Sequence, residues 1–153
     1  MEILTLTFLL FNVFVLSGQQ TDYMKIRDEM KGISCTATDS SSVYNTILNL
    51  TAIDTTTITK NMELYYEDLG KCFWLLSKPY QENPELSQAI ALMHKALYHK
   101  PSSTSIFWNL ATFYNFYGDC AKSRFYMEQY KLYTKKKYWK EDYEKELQSR
   151  CSP

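Results

Sequence analysis

One spacing constrains this chain more than any other: Phe73-x2-Leu76-Ser77-x2-Tyr80 recurs 34 residues later as Phe107-x2-Leu110-Ala111-x2-Tyr114. The segments that follow repeat as well, with Ala89-x3-Met93 landing on Ser123-x3-Met127. Apolar residues at three- and four-residue steps lie on one face of an α-helix. Pro101 sits where a helix-turn-helix unit of this length has to stop. A self-similar period of this size specifies units that cannot bury their apolar faces alone and must stack on their neighbours. The expected fold is therefore all-α and built from consecutive helical hairpins.

The remaining segments fit around that repeat. Tyr23, Ile26, Met30 and Ile33 predict a short amphipathic helix over 21–33, and Val43, Tyr44, Ile47, Leu48 and Leu50 a second over 40–53, with Ser40 to Ser42 as candidate N-caps. The β-branched run Thr55-Thr56-Thr57 disfavours helix and reads as the connection to the repeats. The first repeat helix is expected over 61–78, ended by Pro79. Asn83-Pro84 supplies an N-cap with proline at the first helical position for a helix reaching His99. A third repeat helix begins near Ser103 and breaks at Gly118-Asp119, where Gly offers a left-handed exit and Asp the next cap. The helix that follows is expected to reach Tyr133. A last helix over 138–148, with Trp139, Tyr143 and Leu147 in one stripe, is expected to cap the stack. The organisation is then a leader at 1–18, a helical segment at 19–60, two repeats at 70–103 and 104–137 within 61–137, and the cap and tail at 138–153.

This period and pattern resemble the tetratricopeptide repeat, whose signature is W-x2-L-G-x2-Y…A-x3-F…P. The resemblance implies a binding scaffold whose first helices line a groove. It places partner contacts at Lys71, Trp74, Leu75 and Lys78 in the first unit, and at Trp108, Asn109, Thr112, Asn115 and Phe116 in the second. Asn109 coincides with an asparagine that many peptide-binding members use to hold a ligand backbone. The chain departs from the pattern where Pro79 shortens the first groove helix and Lys135 replaces the second terminal proline. The basic and asparagine set that grips C-terminal carboxylates in chaperone-type members is incomplete. At the generic repeat level the chain is also similar to the substrate domain of the collagen prolyl 4-hydroxylase α subunit, which takes proline-rich chains.

The apolar stretch Ile3 to Leu16, followed by Ser17-Gly18, reads as a secretory signal peptide cleaved near Gly18. It leaves about 135 residues, enough for one domain with its own core, and no stable membrane insertion. Four cysteines, Cys35, Cys72, Cys120 and Cys151, lie beyond the leader. None is in a C-x-x-C pair, so disulfides are expected rather than zinc or redox chemistry. Three connectivities are possible. The symmetry of the cysteines about the threonine-rich connection and about the Lys135-Lys136 turn favours Cys35–Cys72 with Cys120–Cys151. Asn49-Leu50-Thr51 is a glycosylation sequon, placed opposite the apolar face of its helix.

Charge balances at zero, which gives no reason to expect a nucleic-acid partner. Lys135-Lys136-Lys137 is diluted by nearby acids and reads as a solvated helix end. His94 and His99 fall on different helix faces, and the acidic residues are expected on solvated faces. No catalytic, metal-binding or cofactor-binding motif is present. The chain is thus expected to be a secreted, non-catalytic module that binds a protein or extended peptide. The alternatives are a cytokine-like helical ligand acting on a receptor, a proline-rich-peptide-binding relative of the prolyl 4-hydroxylase substrate domain, and a structural component; the cytokine-like reading differs in needing long crossovers where the repeat forms sequential hairpins.

Overall fold

The fold is seen in a computed structural model, which describes residues 21–30, 35, 39–78, 83–139, 141, 142, 144 and 145. It is all-α apart from one short strand pair. Its helices are α1 (Tyr23–Glu29), α2 (Ser40–Thr51), α3 (Met62–Leu76), α4 (Pro84–His99), α5 (Thr104–Tyr117) and α6 (Cys120–Tyr133).

Local chemistry sets most of these boundaries. Asn83 caps α4, its carbonyl oxygen accepting from the Leu86 amide at 2.8 Å, with Pro84 at the first helical position. The Asn83 amide also donates to the Lys78 carbonyl at 2.9 Å, closing the turn from α3. Gly118 leaves α5 at φ +88°, a conformation that favours glycine. The Asp119 carboxylate accepts from the Lys122 amide at 3.0 Å, and that bond holds its pKa below the ordinary carboxylate value. We expect Asn83→Ala to cost about 1 kcal/mol, as loss of a helix cap does. Chemical denaturation of the two proteins measures this directly.

Several boundaries differ from expectation: α1 ends at Glu29 and α2 at Thr51, short of 33 and 53, and four further differences have local causes. First, α3 ends at Leu76 rather than Lys78, because the Ser77 hydroxyl donates to the Trp74 carbonyl at 2.6 Å and Ser77 is already extended. Second, Asp39 caps α2 in place of the following serines, accepting from the Ser42 amide at 2.9 Å. Tyr44 and Leu48 of that helix are exposed, so the buried stripe is Val43, Thr46, Ile47 and Leu50. Third, α1 starts at Tyr23, because Thr21–Asp22 (β1) pairs in parallel with Ile58–Lys60 (β2). The threonine-rich connection is a 3-10 turn at Thr55–Thr57, capped by the Asp54 carboxylate, that leads into β2. Fourth, Lys136–Tyr138 is a 3-10 turn and Trp139 is extended, so the capping segment does not begin as helix at 138. Residues 141, 142, 144 and 145 are helical; Ile33, Pro79, Tyr80, Tyr143, Leu147 and the leader lie outside the described residues.

The helices of each hairpin, α3 with α4 and α5 with α6, run antiparallel. Glu63 at the start of α3 pairs with Lys100 just past the end of α4 at 3.4 Å. Gly70 lets the two backbones approach, since a Cβ there would stand 3.3 Å from the Ala89 carbonyl oxygen. Between α5 and α6 the rings of Phe107 and Tyr133 stack at 5.6 Å, and the Ser123 hydroxyl donates to the Ala111 carbonyl at 2.7 Å. Of the residues that recur at the 34-residue offset, Ala89, Met93, Phe107, Leu110, Ala111, Tyr114, Ser123 and Met127 are buried, whereas Phe73, Leu76 and Ser77 of the first unit are part-buried and Tyr80 lies outside the described residues.

Helices α3 and α5 lie side by side and parallel. Glu67 meets Ser105 and Asn109, and one to two turns further along Trp74 meets Phe113 and Phe116. Trp139 packs on the cluster of Phe107, Ala111, Met127 and Tyr130 that ends the stack, with its indole N–H donating to the Thr134 carbonyl at 3.0 Å.

The N-terminal helices are joined to α3 by the Cys35–Cys72 disulfide, whose Cα atoms are 5.1 Å apart. Cys120 is also disulfide-bonded, and Cys151, its expected partner, lies outside the described residues. Tyr23 donates from its hydroxyl to Asp68 at 3.0 Å, and Arg27 pairs with the same carboxylate at 3.3 Å. Burial nonetheless raises the Asp68 carboxyl above its ordinary pKa, and burial also pushes the Tyr23 phenol up.

Candidate functional site: a groove between two parallel helices

The facing sides of α3 and α5 leave two adjoining cavities. One, of about 180 Å³, is lined by Lys71, Trp74, Leu75, Trp108, Asn109 and Thr112, together with Cys35 and Phe113. The other, more open and of about 310 Å³, shares Lys71, Trp108 and Asn109 and adds Glu67, Thr104, Ser105 and Tyr130. Together they form a groove with an aromatic end near Trp74 and Phe113 and a hydroxyl- and amide-rich end near Ser105.

Six of the residues expected at the groove therefore lie there: Lys71, Trp74, Leu75, Trp108, Asn109 and Thr112. Three do not line either cavity. Lys78 is exposed beyond the end of α3. Asn115 is buried, 4% exposed, because its position on α5 turns inward toward the core. Phe116 packs edge-on against Trp74 at 5.5 Å.

The two tryptophans sit differently. Trp74 stacks on Phe113 at 5.4 Å with an interplanar angle of 17°, and its indole N–H is buried without an acceptor among the described residues. An orphaned donor of this kind costs about 1–3 kcal/mol, which the ring's packing has to offset. Trp108 is half-buried, lies 5.4 Å from the Tyr130 ring and lines both cavities. The Thr112 hydroxyl donates to the Trp108 carbonyl at 3.0 Å, leaving its methyl and its oxygen lone pairs for other contacts.

The centre of the groove floor is a residue that the repeat pattern does not mark, Glu67. Glu67 is 3% exposed, and its carboxylate accepts from Lys71 at 2.7 Å, Asn109 at 3.0 Å and Ser105 at 3.0 Å. Glu63 is buried too, at 9%, so the expectation that the acidic residues occupy solvated faces is corrected at these two positions. A buried carboxylate persists when it is paired and hydrogen-bonded, and here the ammonium of Lys71 balances it. Asn109 is thereby held by an internal partner, with one amide hydrogen committed to Glu67. The one local signal for this hub is the Glu67–Lys71 spacing of four residues, which by itself reads as an ordinary surface helix pair.

The histidines lie away from this face. His94 bonds the Tyr114 hydroxyl at 2.9 Å, and partial burial and the nearby Lys122 charge lower its pKa. His99 stacks on Tyr66 at 5.6 Å. Among the described residues no group of three or more His, Cys, Asp or Glu side chains is placed to hold a metal ion. No described helix is long and apolar enough to cross a membrane. Asn49 is exposed on α2, away from the buried stripe.

The fold and site define an all-α, disulfide-bonded protein of packed helical hairpins with a groove between parallel helices. No protein-family model, no curated protein and no solved structure matches the chain.

Proposed function

We propose that this chain is a secreted, non-catalytic binding module that holds an extended peptide segment of a partner in a tetratricopeptide-like groove between α3 and α5. The observation that carries the reading is that six residues picked out by the repeat pattern line one continuous face. The parallel placement of α3 and α5, each the first helix of its hairpin, supports the family resemblance. The 34-residue offset between their matching residues supports it as well.

The groove's dimensions and charge point to the kind of segment. From Thr104 to Phe113 the α5 axis rises roughly 14 Å at ~1.5 Å per residue, and about four residues of an extended chain cover that length. Lys71 and Glu67 neutralise each other, so the floor carries no net charge and suits an uncharged segment with an apolar side chain at the aromatic end. Neutral, proline-containing chains belong to this class. Export is supported by the leader, by the disulfides, which persist in oxidising compartments, and by the accessible sequon at Asn49. The connections at 77–83, 100–103 and 118–119 are short, which favours stacked hairpins over the crossovers of a cytokine-like bundle.

Selection from a random-peptide display library against the refolded, disulfide-bonded protein tests this reading. Peptides recovered on the native protein are expected to be mostly uncharged and to lose at least about tenfold in affinity, ~1.4 kcal/mol, on Thr112→Arg. On Trp108→Ala they should lose about 1–3 kcal/mol, as for an interface hot spot, while the melting temperature changes little. Recovered peptides indifferent to both substitutions, or no enrichment over Thr112→Arg, contradict the groove.

A further inference from the structure

The run Lys135-Lys136-Lys137 follows α6 and forms the 3-10 turn Lys136–Tyr138 together with its N-cap. The frame beneath these lysines is fixed. The Tyr138 amide donates to the Lys135 carbonyl at 2.8 Å and the Trp139 amide to the Lys136 carbonyl at 3.0 Å. From below, the Tyr130 hydroxyl donates to the Tyr138 carbonyl at 2.8 Å, and Trp139 packs on the cluster that ends the stack. All three lysines are exposed, and none forms an ion pair among the described residues. The acids that dilute this run in the sequence are committed elsewhere, Glu144 to Lys131 and Asp142 to Lys145. Glu141 shares an adjoining cavity of about 320 Å³ with Lys136, Trp139, Glu144 and Lys145. What reads in the sequence as a solvated helix end is therefore a held turn that presents three unpaired ammonium groups.

We infer that this turn is a docking site for a sulfated polysaccharide chain. Charge complementarity selects a polyanion, because clustered charges of one sign raise the local concentration of the other. Lysine is a compact point charge without the planar fork of arginine, so the site selects for charge density rather than for the shape of one anionic group. A chain of sulfated sugars supplies that density as fixed charge. The turn's geometry separates this partner from two others. Three residues complete one turn of a 3-10 helix, so consecutive lysines leave its axis in three directions. A flexible chain can bend around the turn and meet all three, whereas a flat bilayer meets only one side. Single-stranded nucleic acid gains much of its affinity by stacking bases on aromatic rings. Here one face of each ring is already covered: the Lys137 ammonium lies 4.8 Å from the Tyr138 ring, that of Lys131 lies 5.3 Å from Trp139, and Tyr133 stacks on Phe107. None of Lys135, Lys136 and Lys137 lines either groove cavity, so this inference stands apart from the peptide-binding reading.

Calorimetric titration of the refolded, disulfide-bonded protein with a short heparin oligosaccharide tests the site. The expected result is saturable binding that weakens steeply as salt is added, because the chain's condensed counterions are released on binding. Lys135→Gln/Lys136→Gln/Lys137→Gln should weaken it at least about tenfold and leave the melting temperature unchanged, since these side chains are exposed and unpaired. The same charge loss elsewhere, in Lys25→Gln/Lys60→Gln/Lys95→Gln, should keep the affinity within about twofold, because exposed charges beyond a Debye length are screened. Desulfated heparin, poly-glutamate, a single-stranded oligonucleotide and phosphatidylserine vesicles should each bind at least about tenfold more weakly than the sulfated chain. No binding of the heparin oligosaccharide, an equal loss in the two lysine variants, or equally tight binding of any of the four other probes overturns the proposal.

Discussion

Removing the Cys35–Cys72 bond is expected to have the largest single effect on stability. The bond spans 37 positions, and closing a loop of that length removes unfolded-state entropy worth about 4 kcal/mol. The double variant Cys35→Ala/Cys72→Ala avoids leaving a thiol or a hydroxyl in the buried position of Cys72, which is wholly inaccessible among Tyr23, Leu50, Tyr65 and Leu69. For a domain of this size the expected loss lowers the melting temperature by roughly 10–15 °C. The effect is large because α1 contributes a short helix and β1 only two residues, too little surface to dock firmly on α3 without the covalent tie. A loss below about 1 kcal/mol would mean that the strand pair and the Tyr23–Asp68 contact already hold this region.

Trp74→Ala is expected to cost about 3–5 kcal/mol, the range for deleting a packed tryptophan side chain. The ring joins the two hairpins, lying flat on Phe113 and edge-on to Phe116 across the α3–α5 boundary. Its N–H makes no compensating bond among the described residues. Trp74→Phe should therefore recover most of the loss and stay within about 1 kcal/mol of the native protein, because it keeps an aromatic contact and removes an unsatisfied donor. Urea unfolding of the three proteins separates the cases. A phenylalanine variant as unstable as the alanine variant would show that the indole nitrogen has a partner in solution. The contrast with Trp108 divides two residues that the repeat makes equivalent: Trp74 lines one cavity and ties the two hairpins together through Phe113 and Phe116, whereas Trp108 lines both cavities.

Which features were legible in the sequence follows from how far apart the interacting groups are. Asn83-Pro84 and Gly118-Asp119 act on their own backbone within a few residues, and both boundaries lie where those signals put them. The repeat spacing was also readable, because Ala89, Ser123, Leu110 and Ala111 recur at packing positions whatever surrounds them. The Cys35–Cys72 pairing followed from the placement of the two cysteines about one connection. The Glu67 hub was not legible, since its partners Ser105 and Asn109 are 38 and 42 residues away and nothing local separates it from a solvated Glu–Lys pair. The β1–β2 pairing was hidden for the same reason, joining Thr21 to Ile58 through residues whose composition reads as linker. Tyr44 and Leu48 were misplaced because apolar periodicity marks a wider stripe on α2 than α3 actually covers.

Amide chemical-shift mapping of isotope-labelled protein with a display-selected peptide tests the central claim, that the α3–α5 face is the binding surface. The account predicts shifts concentrated at Lys71, Trp74 and Leu75 on α3 and at Ser105, Trp108, Asn109 and Thr112 on α5, including the Trp108 indole proton. Resonances from the exposed sides of α2 and α6 should stay in place. Shifts that cluster instead around Tyr44 and Leu48 on α2, or Phe125 and Leu132 on α6, would contradict it and move the binding surface to those exposed apolar residues.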